Sequence, residues 1–425
     1  MAKYIKQMAN IEQKEVDDLE RTVKDIINNV RKNGDEALKE YSRKFDGVEL
    51  DELRVSQEEI EKAMSRISTT TLEDIKYSIE RIKSFAEEQR KTLTEFEKEM
   101  IPGAFLGQKV IPIESVGAYV PGGRYPLLSS AQMAIIPAKV AGVSHIRVCT
   151  PPTKDGSIHP AVLVAAHLSG ADEIFKVGGA QAIAALAYGT ESIKPVYKIT
   201  GPGNRFVTEA KRQVHGKVGI DLLAGPSEVL VVADKTAKVE YVVSDLLAQA
   251  EHDVETHVVL VTDDETLAYK ALDEIEKQLA TLPTAEIARA AWNKRGQIIL
   301  TESIEESIQV ANEIAPEHLH VQTENAYEIK DEFINYGSLF IGENSPVVFS
   351  DKVIGTNHIL PTNGAAKYTG GVWVGTFLKV VTYQKVDYTG VKQLAPHCIR
   401  QSDDEGLIGH RRSAEIRLHG KFSID

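Results

Sequence analysis

Residues 145–188, HIRVCTPPTKDGSIHPAVLVAAHLSGADEIFKVGGAQAIAALAY, decide the fold class. HIRVCTPP and EIFKVGG are short apolar runs typical of strands, whereas PAVLVAAHLSG and AQAIAALAYG are typical of helices. Because strands that alternate with helices pair in parallel and are covered on both faces, this stretch predicts a parallel α/β sheet.

The alternation continues on both sides of this stretch. KVIPIESVGAYVP, from residue 109, predicts extended chain, VYKITGPGN and RFVTEAKRQV predict a further strand and helix, and a second run follows from SEVLVVAD to GSLFIGE. Residues 14 to about 100 have helical periodicity, residues 351 to about 371 are rich in Gly, Asn, Pro and Thr like a functional loop, and the tail from about 372 predicts mixed helix. We expect an α/β protein with two Rossmann-like parallel-sheet lobes, a helical N-terminal layer and a C-terminal tail.

The composition of the 425 residues excludes several classes of protein. The 49 Lys and Arg residues are outnumbered by 62 Asp and Glu, a net charge of −13, which disfavours nucleic acid as a partner. Cys149 and Cys398 are the two cysteines and form no CxxC motif, so a disulfide scaffold is not expected. Apolar runs are too short for a membrane span and the amino terminus is too charged for a signal peptide, so we expect a cytoplasmic protein without membrane contact.

Three groups of polar residues could carry chemistry. Gln249 and His252 lie three apart near a predicted helix end and could begin a metal site, although a single His there also commonly interacts with the helix dipole. Zinc binds about four N, O or S ligands, and Asp351 and His410 are candidates for the others. Glu317 and His318 could activate water and move protons, or form an exposed polar turn.

His358 and three glycine-rich loops can each be interpreted either as functional or as purely structural. His358 lies in the loop TNHILPTNG and is either a positioned polar group or an exposed loop histidine. VPGGRYP, VGGAQA and ITGPGNRF could let backbone approach a phosphate, or be tight turns without a ligand. None has the GxGxxG spacing, because Phe206 stands where a third glycine would follow Gly201 and Gly203.

Nine motifs in order along the chain resemble the histidinol dehydrogenase family, from about residue 15 to the end. They are VGAYVPGG, PAKVAGV, VGGAQAIAALAYGTESI, GPGNRFVTEAKRQV, DLLAGPSEVLV, DLLAQAEHD, APEHL, GTNHILPT and EGLIGHRRSAEIR. The resemblance implies a homodimer dependent on zinc and NAD that oxidises a primary alcohol to a carboxylate in two hydride transfers, through a bound aldehyde.

The resemblance also implies a role for each matching residue. The zinc ligands would be Gln249, His252, Asp351 and His410, the last supplied by the partner subunit, so that the two chains share their active sites. Glu317 would activate water and His318 would be the general base. The cofactor would contact Tyr119, Gln181 and Asn204. The substrate would contact Ser227, Gln249, His252, His358 and Glu405.

The resemblance divides the chain into four expected parts. Residues 1–15 would be an N-terminal arm, and residues 16–118 with 229–370 a first α/β lobe that carries the metal and acid–base residues. Residues 119–228 would be a second α/β lobe on the NAD side, and residues 371–425 a dimerisation tail.

Two departures bear on the substrate. RYPL, at Arg124 to Leu127, and YTGGVWVGTFLKVVTYQ, after TNHILPTNG, resemble a branch of the family that includes sulfopropanediol 3-dehydrogenase. They favour (R)-2,3-dihydroxypropane-1-sulfonate, oxidised to sulfolactate, slightly over L-histidinol, oxidised to L-histidine. Arg124 could bind the sulfonate with its guanidinium, or be an exposed loop cation.

Two other classes of function stay open from the sequence. A metal-dependent hydrolase could use water activated by Glu317 and no cofactor. A non-catalytic binding protein could keep the fold, although the intact Glu317–His318 pair argues against it. The sequence also leaves open whether the metal is zinc or manganese.

Overall fold

The predicted alternation of strands and helices is present in the structure. The computed structural model describes residues 2–8, 14–122 and 125–421, with the backbone alone for residues 14–17. The described strands are β1 (Lys3–Lys6), β2 (Phe96–Ile101), β3 (Ala104–Pro112), β4 (Ser115–Tyr119), β5 (His145–Thr150), β6 (Glu173–Lys176), β7 (Lys198–Thr200), β8 (Gly219–Ile220), β9 (Glu228–Ala233), β10 (His257–Thr262), β11 (Gln297–Leu300), β12 (His318–Gln322), β13 (Ser338–Ile341) and β14 (Leu378–Val386). The described α-helices are α1 (Lys14–Tyr41), α2 (Gln57–Arg66), α3 (Thr69–Lys91), α4 (Leu128–Ala141), α5 (Pro160–Leu168), α6 (Gly179–Tyr188), α7 (Arg205–Val214), α8 (Val239–Ala250), α9 (Glu265–Leu279), α10 (Ala285–Arg295), α11 (Ile304–Ile314), α12 (Val347–Lys352), α13 (Tyr388–Asp404) and α14 (Ile408–His419).

The chain divides into two compact units. The first is Met1–Gln89 with Ile113–Phe377, and the second is Arg90–Pro112 with Leu378–Asp425. None of the helices in the described ranges is both long and apolar enough to cross a membrane.

The first sheet of the first unit is parallel, with strand order β6-β5-β4-β7-β8. Numbered along the chain, this order is 3-2-1-4-5, so the direction of strand addition reverses between β4 and β7. Val116, Ile146 and Ile199 are completely buried in it, as expected for strands covered on both faces. Helix α1 covers one face together with α6, and the chain of α1 kinks at Gly34, where φ is 53°.

The second sheet of the first unit repeats the same strand order. Its order is β1-β11-β10-β9-β12-β13, in which β9 to β13 are parallel and β1 pairs antiparallel with β11 at the edge. Leu230, Leu260 and Leu319 are completely buried at its centre. Strands β9 and β12 lie side by side, with His318 opposite Val229.

The second unit combines an antiparallel sheet with two helices. Strand β14 pairs with β3 over its full length, from Leu378 opposite Pro112 to Val386 opposite Ala104, and β2 pairs with the other edge of β3. Asp387 caps α13 by accepting hydrogen bonds from the backbone N–H groups of Thr389 and Gly390, at 2.8 and 3.1 Å.

The predicted fold class is confirmed, with differences in detail. Strand β14 lies where mixed helix was expected; its nine residues pair with a distant segment that local periodicity does not reveal. Asp351 lies on the short helix α12 rather than in a loop. The four-part division of the chain stays a prediction.

A buried ion pair fixes the loop that follows β7. The Lys211 and Asp221 side chains are 2% and 0% exposed and form a salt bridge. Lys211 Nζ also donates to the carbonyl of Gly201 at 3.0 Å, and Asp221 accepts from the N–H of Gly201 at 2.8 Å. Both backbone groups of Gly201 are therefore held by one buried pair.

We expect Lys211→Met to destabilise the protein by about 3–5 kcal/mol, because it leaves the Asp221 carboxylate buried without its cation. Urea unfolding measures the free energy of unfolding. The matched control is Lys139→Met, which removes a half-exposed ion pair with Asp172 and should cost less than about 1 kcal/mol. Equal effects of the two substitutions would contradict the prediction.

Candidate active site

A cleft of the first unit lies where the carboxyl ends of strands from one sheet face the amino ends of strands from the other. Its volume is about 670 Å³. From the first sheet it is lined by the loops that follow the carboxyl ends of β4 and β7, at Pro121–Gly122 and Pro202–Phe206. From the second sheet it is lined by residues at the amino ends of β9 and β12, among them Ser227 and Glu317. The cleft therefore includes the strand-order reversal of the first sheet, where α/β sheets commonly bind ligands.

Glu317 and His318 lie together at this cleft and are both buried. Glu317 Oε2 accepts a hydrogen bond from the N–H of Glu228 at 2.8 Å, and His318 Nδ1 donates to the carbonyl of Glu228 at 2.8 Å. His318 Nδ1 is 3.5 Å from Glu317 Oε2. In the described structure His318 Nε2 is buried and makes no hydrogen bond. Since Nδ1 carries the proton, Nε2 of the neutral ring is a free acceptor.

The buried environment suits this pair to proton transfer. Burial lowers the pKa of His318, so the ring is neutral at neutral pH and able to accept a proton. Burial raises the pKa of Glu317 well above its usual value; the N–H of Glu228 opposes this shift, and the carboxylates of Glu228 and Asp351 add to it. A carboxyl with a raised pKa is a stronger base than an ordinary one, which suits Glu317 to take up a proton.

Three of the predicted metal ligands lie at the same cleft. Gln249 Nε2 donates to Asp351 Oδ2 at 3.0 Å, and His252 lies in the turn after α8. Burial opposes ionisation of Asp351, but the nearby His318, His358 and His252 rings hold its pKa below its usual value. An amide, an imidazole and an ionised carboxylate form an N/O ligand set that fits a divalent cation such as zinc.

The remaining predicted ligand belongs to the second unit. His410 lies in the first turn of α14 and Glu405 directly follows α13; both are exposed. Within the described ranges, no group of three or more His, Cys, Asp or Glu side chains is placed to hold a metal. The predicted set has only two such residues at the cleft, because its third ligand is Gln249 and its fourth is expected from a partner subunit.

His358 and Ser227 line the cleft on loops that are tied to one another. His358 Nε2 is 3.3 Å from Ser130 Oγ, and burial lowers the pKa of His358 to about 4. The N–H of Asn363 donates to Glu228 Oε1 at 2.9 Å, and the N–H of Gly225 donates to Thr362 Oγ1 at 2.6 Å. The TNHILPTNG and GPSE loops therefore form one wall of the cleft.

The three predicted cofactor residues lie around the carboxyl edge of the first sheet. Tyr119 ends β4 and its hydroxyl accepts a hydrogen bond from the N–H of Gly179 at 3.1 Å; burial raises the pKa of Tyr119 to about 12, so the hydroxyl stays protonated. Gln181 is buried in the first turn of α6, and Asn204 lines the cleft and caps α7.

A glycine is required where the GPGN loop leaves β7. Gly201 has φ 120°, and a Cβ atom there would overlap the backbone carbonyl of Tyr119. The backbone therefore approaches the end of β4 closely, and the uncapped amino end of α6 begins at Gly179 nearby. A helix amino end beside a buried tyrosine hydroxyl, next to a strand-order reversal, fits a dinucleotide cofactor.

Sequence reasoning missed two residues of the site and named one that lies outside the described residues. Glu228 orients both members of the Glu317–His318 pair, and its position next to Ser227 in the GPSE motif was the available signal. Tyr125 lines the cleft and its hydroxyl donates to the carbonyl of Glu251 at 3.1 Å. Arg124 lies outside the described residues.

The chain belongs to the histidinol dehydrogenase family, whose sequence model matches residues 9–418. It is an enzyme of the oxidoreductase class, as the members of this family are. The predicted family and fold are confirmed.

Three relatives and one solved structure illustrate the range of the similarity. A histidinol dehydrogenase homolog of Shouchella clausii is 47% identical over 98% of this chain and 99% of its own. Histidinol dehydrogenase of Geobacillus kaustophilus is 46% identical over 94% and 93%. Sulfopropanediol 3-dehydrogenase of Ruegeria pomeroyi is 42% identical over 99% and 97%. The crystal structure of histidinol dehydrogenase from Elizabethkingia anophelis superposes with a TM-score of 0.91, at 39% identity over 97% of this chain and 94% of that one.

Asp46, whose charge acts on the Tyr119 hydroxyl, makes folding stability depend on pH. Burial raises the pKa of Asp46 to about 6, from 3.8. Between these values the unfolded chain has released the proton while the folded chain keeps it, so stability is present in full at low pH and falls as pH rises through about 6. We expect Asp46→Asn to raise the free energy of unfolding above pH 6 and to change it little at pH 4.

Urea unfolding across this pH range tests the prediction. The control is Asp51→Asn, which changes an exposed aspartate of the same segment and should leave the pH profile as it is. A difference between Asp46→Asn and wild type that is constant with pH would show that ionisation of Asp46 is not the cause.

Proposed function

We propose that this enzyme oxidises a primary alcohol to a carboxylate with zinc as a bound metal and two molecules of NAD⁺ as electron acceptors. The observation that carries the proposal is the buried Glu317–His318 pair at the same cleft as Gln249, His252 and Asp351, with no hydrogen-bond partner for His318 Nε2 among the described residues. The balanced reaction takes one alcohol, one water and two NAD⁺ to one carboxylate, two NADH and three protons.

Each residue of the site has a task in the proposal. When bound, zinc would orient the alcohol and NAD⁺ would accept hydride. His318 takes the hydroxyl proton at Nε2. The carbonyl of Glu228 and the Glu317 carboxylate, whose Oε2 is 3.5 Å from His318 Nδ1, stabilise the charged ring that results. Glu317 takes a proton from the water that hydrates the aldehyde. Gln249, His252 and Asp351, with His410 of the partner subunit, would hold the metal.

Two substrates remain in the proposal. The relatives include proteins named for histidinol and one named for sulfopropanediol. Lys352 lines the cleft next to Asp351 and would attract a sulfonate, as Arg124 would. Asp253 also lines the cleft and would suit the ammonium group of L-histidinol. We place (R)-2,3-dihydroxypropane-1-sulfonate first and L-histidinol second.

The second unit supports a homodimer that shares its active sites. Its exposed apolar side chains are more numerous than a solvated surface needs. They include Phe96, Met100, Leu106, Val380, Leu394, Leu407, Ile408 and Ile416. A second copy of the chain would cover them and bring Glu405 and His410 of the partner subunit to the cleft. Cys149 and Cys398 are free thiols, which suits the proposed cytoplasmic location.

We expect purified enzyme loaded with zinc to form two NADH per molecule of alcohol consumed, measured by absorbance with each of the two substrates in turn. His318→Asn should lower kcat by about 10²–10⁴-fold, because the proton acceptor is lost. Removal of the metal by a chelator should abolish turnover, and zinc or manganese should restore it. An enzyme that hydrolyses an ester or amide without NAD⁺ would instead be the metal-dependent hydrolase, and one NADH per alcohol would contradict the four-electron reaction.

Mixing two inactive variants tests the shared active site. Glu317→Gln and His410→Asn should each be nearly inactive, since each removes one residue from every site. After mixed refolding or co-expression, half of the dimers should contain one chain of each kind, and each of these has one intact site; activity should return to about a quarter of wild type. No recovery in verified mixed dimers would show that each active site takes His410 from its own chain, and an active His410→Asn variant would show that His410 has no role.

A further inference from the structure

A second buried polar cluster lies behind the cleft and is used by none of the steps proposed above. It consists of Asp245, His320 and Gln322, which are 7%, 0% and 3% exposed. None of the three lines the cleft. Buried polar side chains are costly unless they are hydrogen-bonded, so their presence in an otherwise apolar layer needs a reason.

The three side chains are joined by short contacts. Gln322 Nε2 donates to Asp245 Oδ2 at 2.8 Å and lies 3.2 Å from His320 Nδ1. His320 Nδ1 is 3.1 Å from Asp245 Oδ2, and its Nε2 donates to the carbonyl of Gly342 at 2.9 Å. The cluster therefore connects helix α8, which carries Asp245, to strand β12, which carries His320 and Gln322.

These two elements are the ones that carry the machinery of the site. Asp245 lies one helical turn before Gln249, on the same face of α8. His320 lies two residues after His318, on the same face of β12. The Phe340 ring packs against both histidines, with centroid distances of 6.0 Å to His318 and 6.3 Å to His320. A shift of α8 along β12 would move the Gln249 amide relative to the His318 ring.

Apolar packing alone resists such a shift less specifically than hydrogen bonds do. Helix α8 contacts its sheet through Val243, Leu246 and Leu247, which belong to one apolar cluster with Val231 and Leu260. Apolar contact is non-directional and can be remade by repacking, so it sets the position of a helix along a strand less strictly than directional bonds do. Hydrogen bonds depend on distance and angle, and the cluster supplies them at one register only.

We propose that Asp245, His320 and Gln322 are positioning residues that set the distance between the metal-binding end of α8 and the proton-transferring end of β12. This rests on the proposed function, because it concerns the zinc and acid–base residues assigned there. The cluster acts through Gln249 and His318 and does not touch the substrate. Its loss should therefore weaken metal retention and slow the chemical step, while binding of NAD⁺ at the first sheet stays as it is.

Two variants at one position separate this role from simple stabilisation. Asp245→Ala removes the acceptor for Gln322. Asp245→Asn has the same shape and keeps an oxygen that can accept from Gln322 Nε2, so α8 stays joined to β12 through Gln322. His320→Phe, which keeps a ring against Phe340 and loses all three polar contacts, replaces Asp245→Ala if that variant does not fold. Leu279→Ala, a cavity in the buried end of α9, is the control for lowered stability.

The measurements are the rate of zinc release from the holoenzyme into excess chelator, kcat, the KM for NAD⁺ and the melting temperature. We expect Asp245→Ala to release zinc faster and to lower kcat, each by about tenfold to a hundredfold, as is typical when outer partners of metal ligands are lost. The KM for NAD⁺ should stay close to wild type, and Asp245→Asn should restore both properties. Leu279→Ala should lower the melting temperature without changing zinc release or kcat.

The outcomes distinguish the two proposals. If wild type holds zinc and oxidises the alcohol but Asp245→Ala and His320→Phe behave like Leu279→Ala, the cluster is only structural and the positioning role is wrong. The same holds if Asp245→Asn is as impaired as Asp245→Ala. If wild type neither retains zinc nor forms NADH with either alcohol, the proposed function fails, and the positioning role fails with it.

Discussion

The backbone of a single residue, Glu228, orients both members of the acid–base pair. Its N–H donates to Glu317 and its carbonyl accepts from His318, which is possible only because β9 and β12 are neighbours in the sheet and begin at the same level. The 3-2-1-4-5 strand order makes them neighbours, although about 90 residues separate them in sequence. The chemistry of the cleft therefore depends on a parallel strand pairing that is fixed by the buried leucines of β9, β10 and β12.

The local environments of the two buried carboxyl groups at the site shift their pKa values in opposite directions. Glu317 and Asp351 are both buried carboxyls, yet burial raises the pKa of the first while three imidazoles hold the pKa of the second down. One group can therefore exchange protons and the other stays an anion, as a metal ligand must. His318 and His358 are neutral for the same reason that Glu317 resists ionisation: burial disfavours the charged form of each.

The sequence predicts elements better than it predicts contacts. Apolar periodicity is local, so the alternation from HIRVCT to AQAIAALAY was sufficient to assign a parallel α/β fold. Strand β14 was missed because its partner β3 is about 270 residues away, and no local pattern encodes such a pairing. Motif resemblance named Gln249, His252, Glu317, His318, Asp351 and His358, which the structure brings to one cleft. Glu228 and Asp245 lie within the quoted motifs but received no role, because the letters of a motif do not show which residue contributes a backbone contact or a buried supporting side chain.

The two walls of the cleft come from different sheets, and this has a consequence for the order of events in the proposed four-electron reaction. The aldehyde has to stay bound while one spent dinucleotide dissociates and a fresh one associates. The residues proposed to contact the dinucleotide lie on the first sheet, where the Lys211–Asp221 pair holds Gly201 in place. Ser227, Gln249, His252 and Asp351, which are proposed to contact the alcohol or the metal, lie on the side of the second sheet. If the wall that binds the dinucleotide is rigid before binding, NADH could leave and NAD⁺ could bind without a change in the wall that retains the aldehyde. Oxidation of the aldehyde to the carboxylate would then not require a lid to close over the cleft.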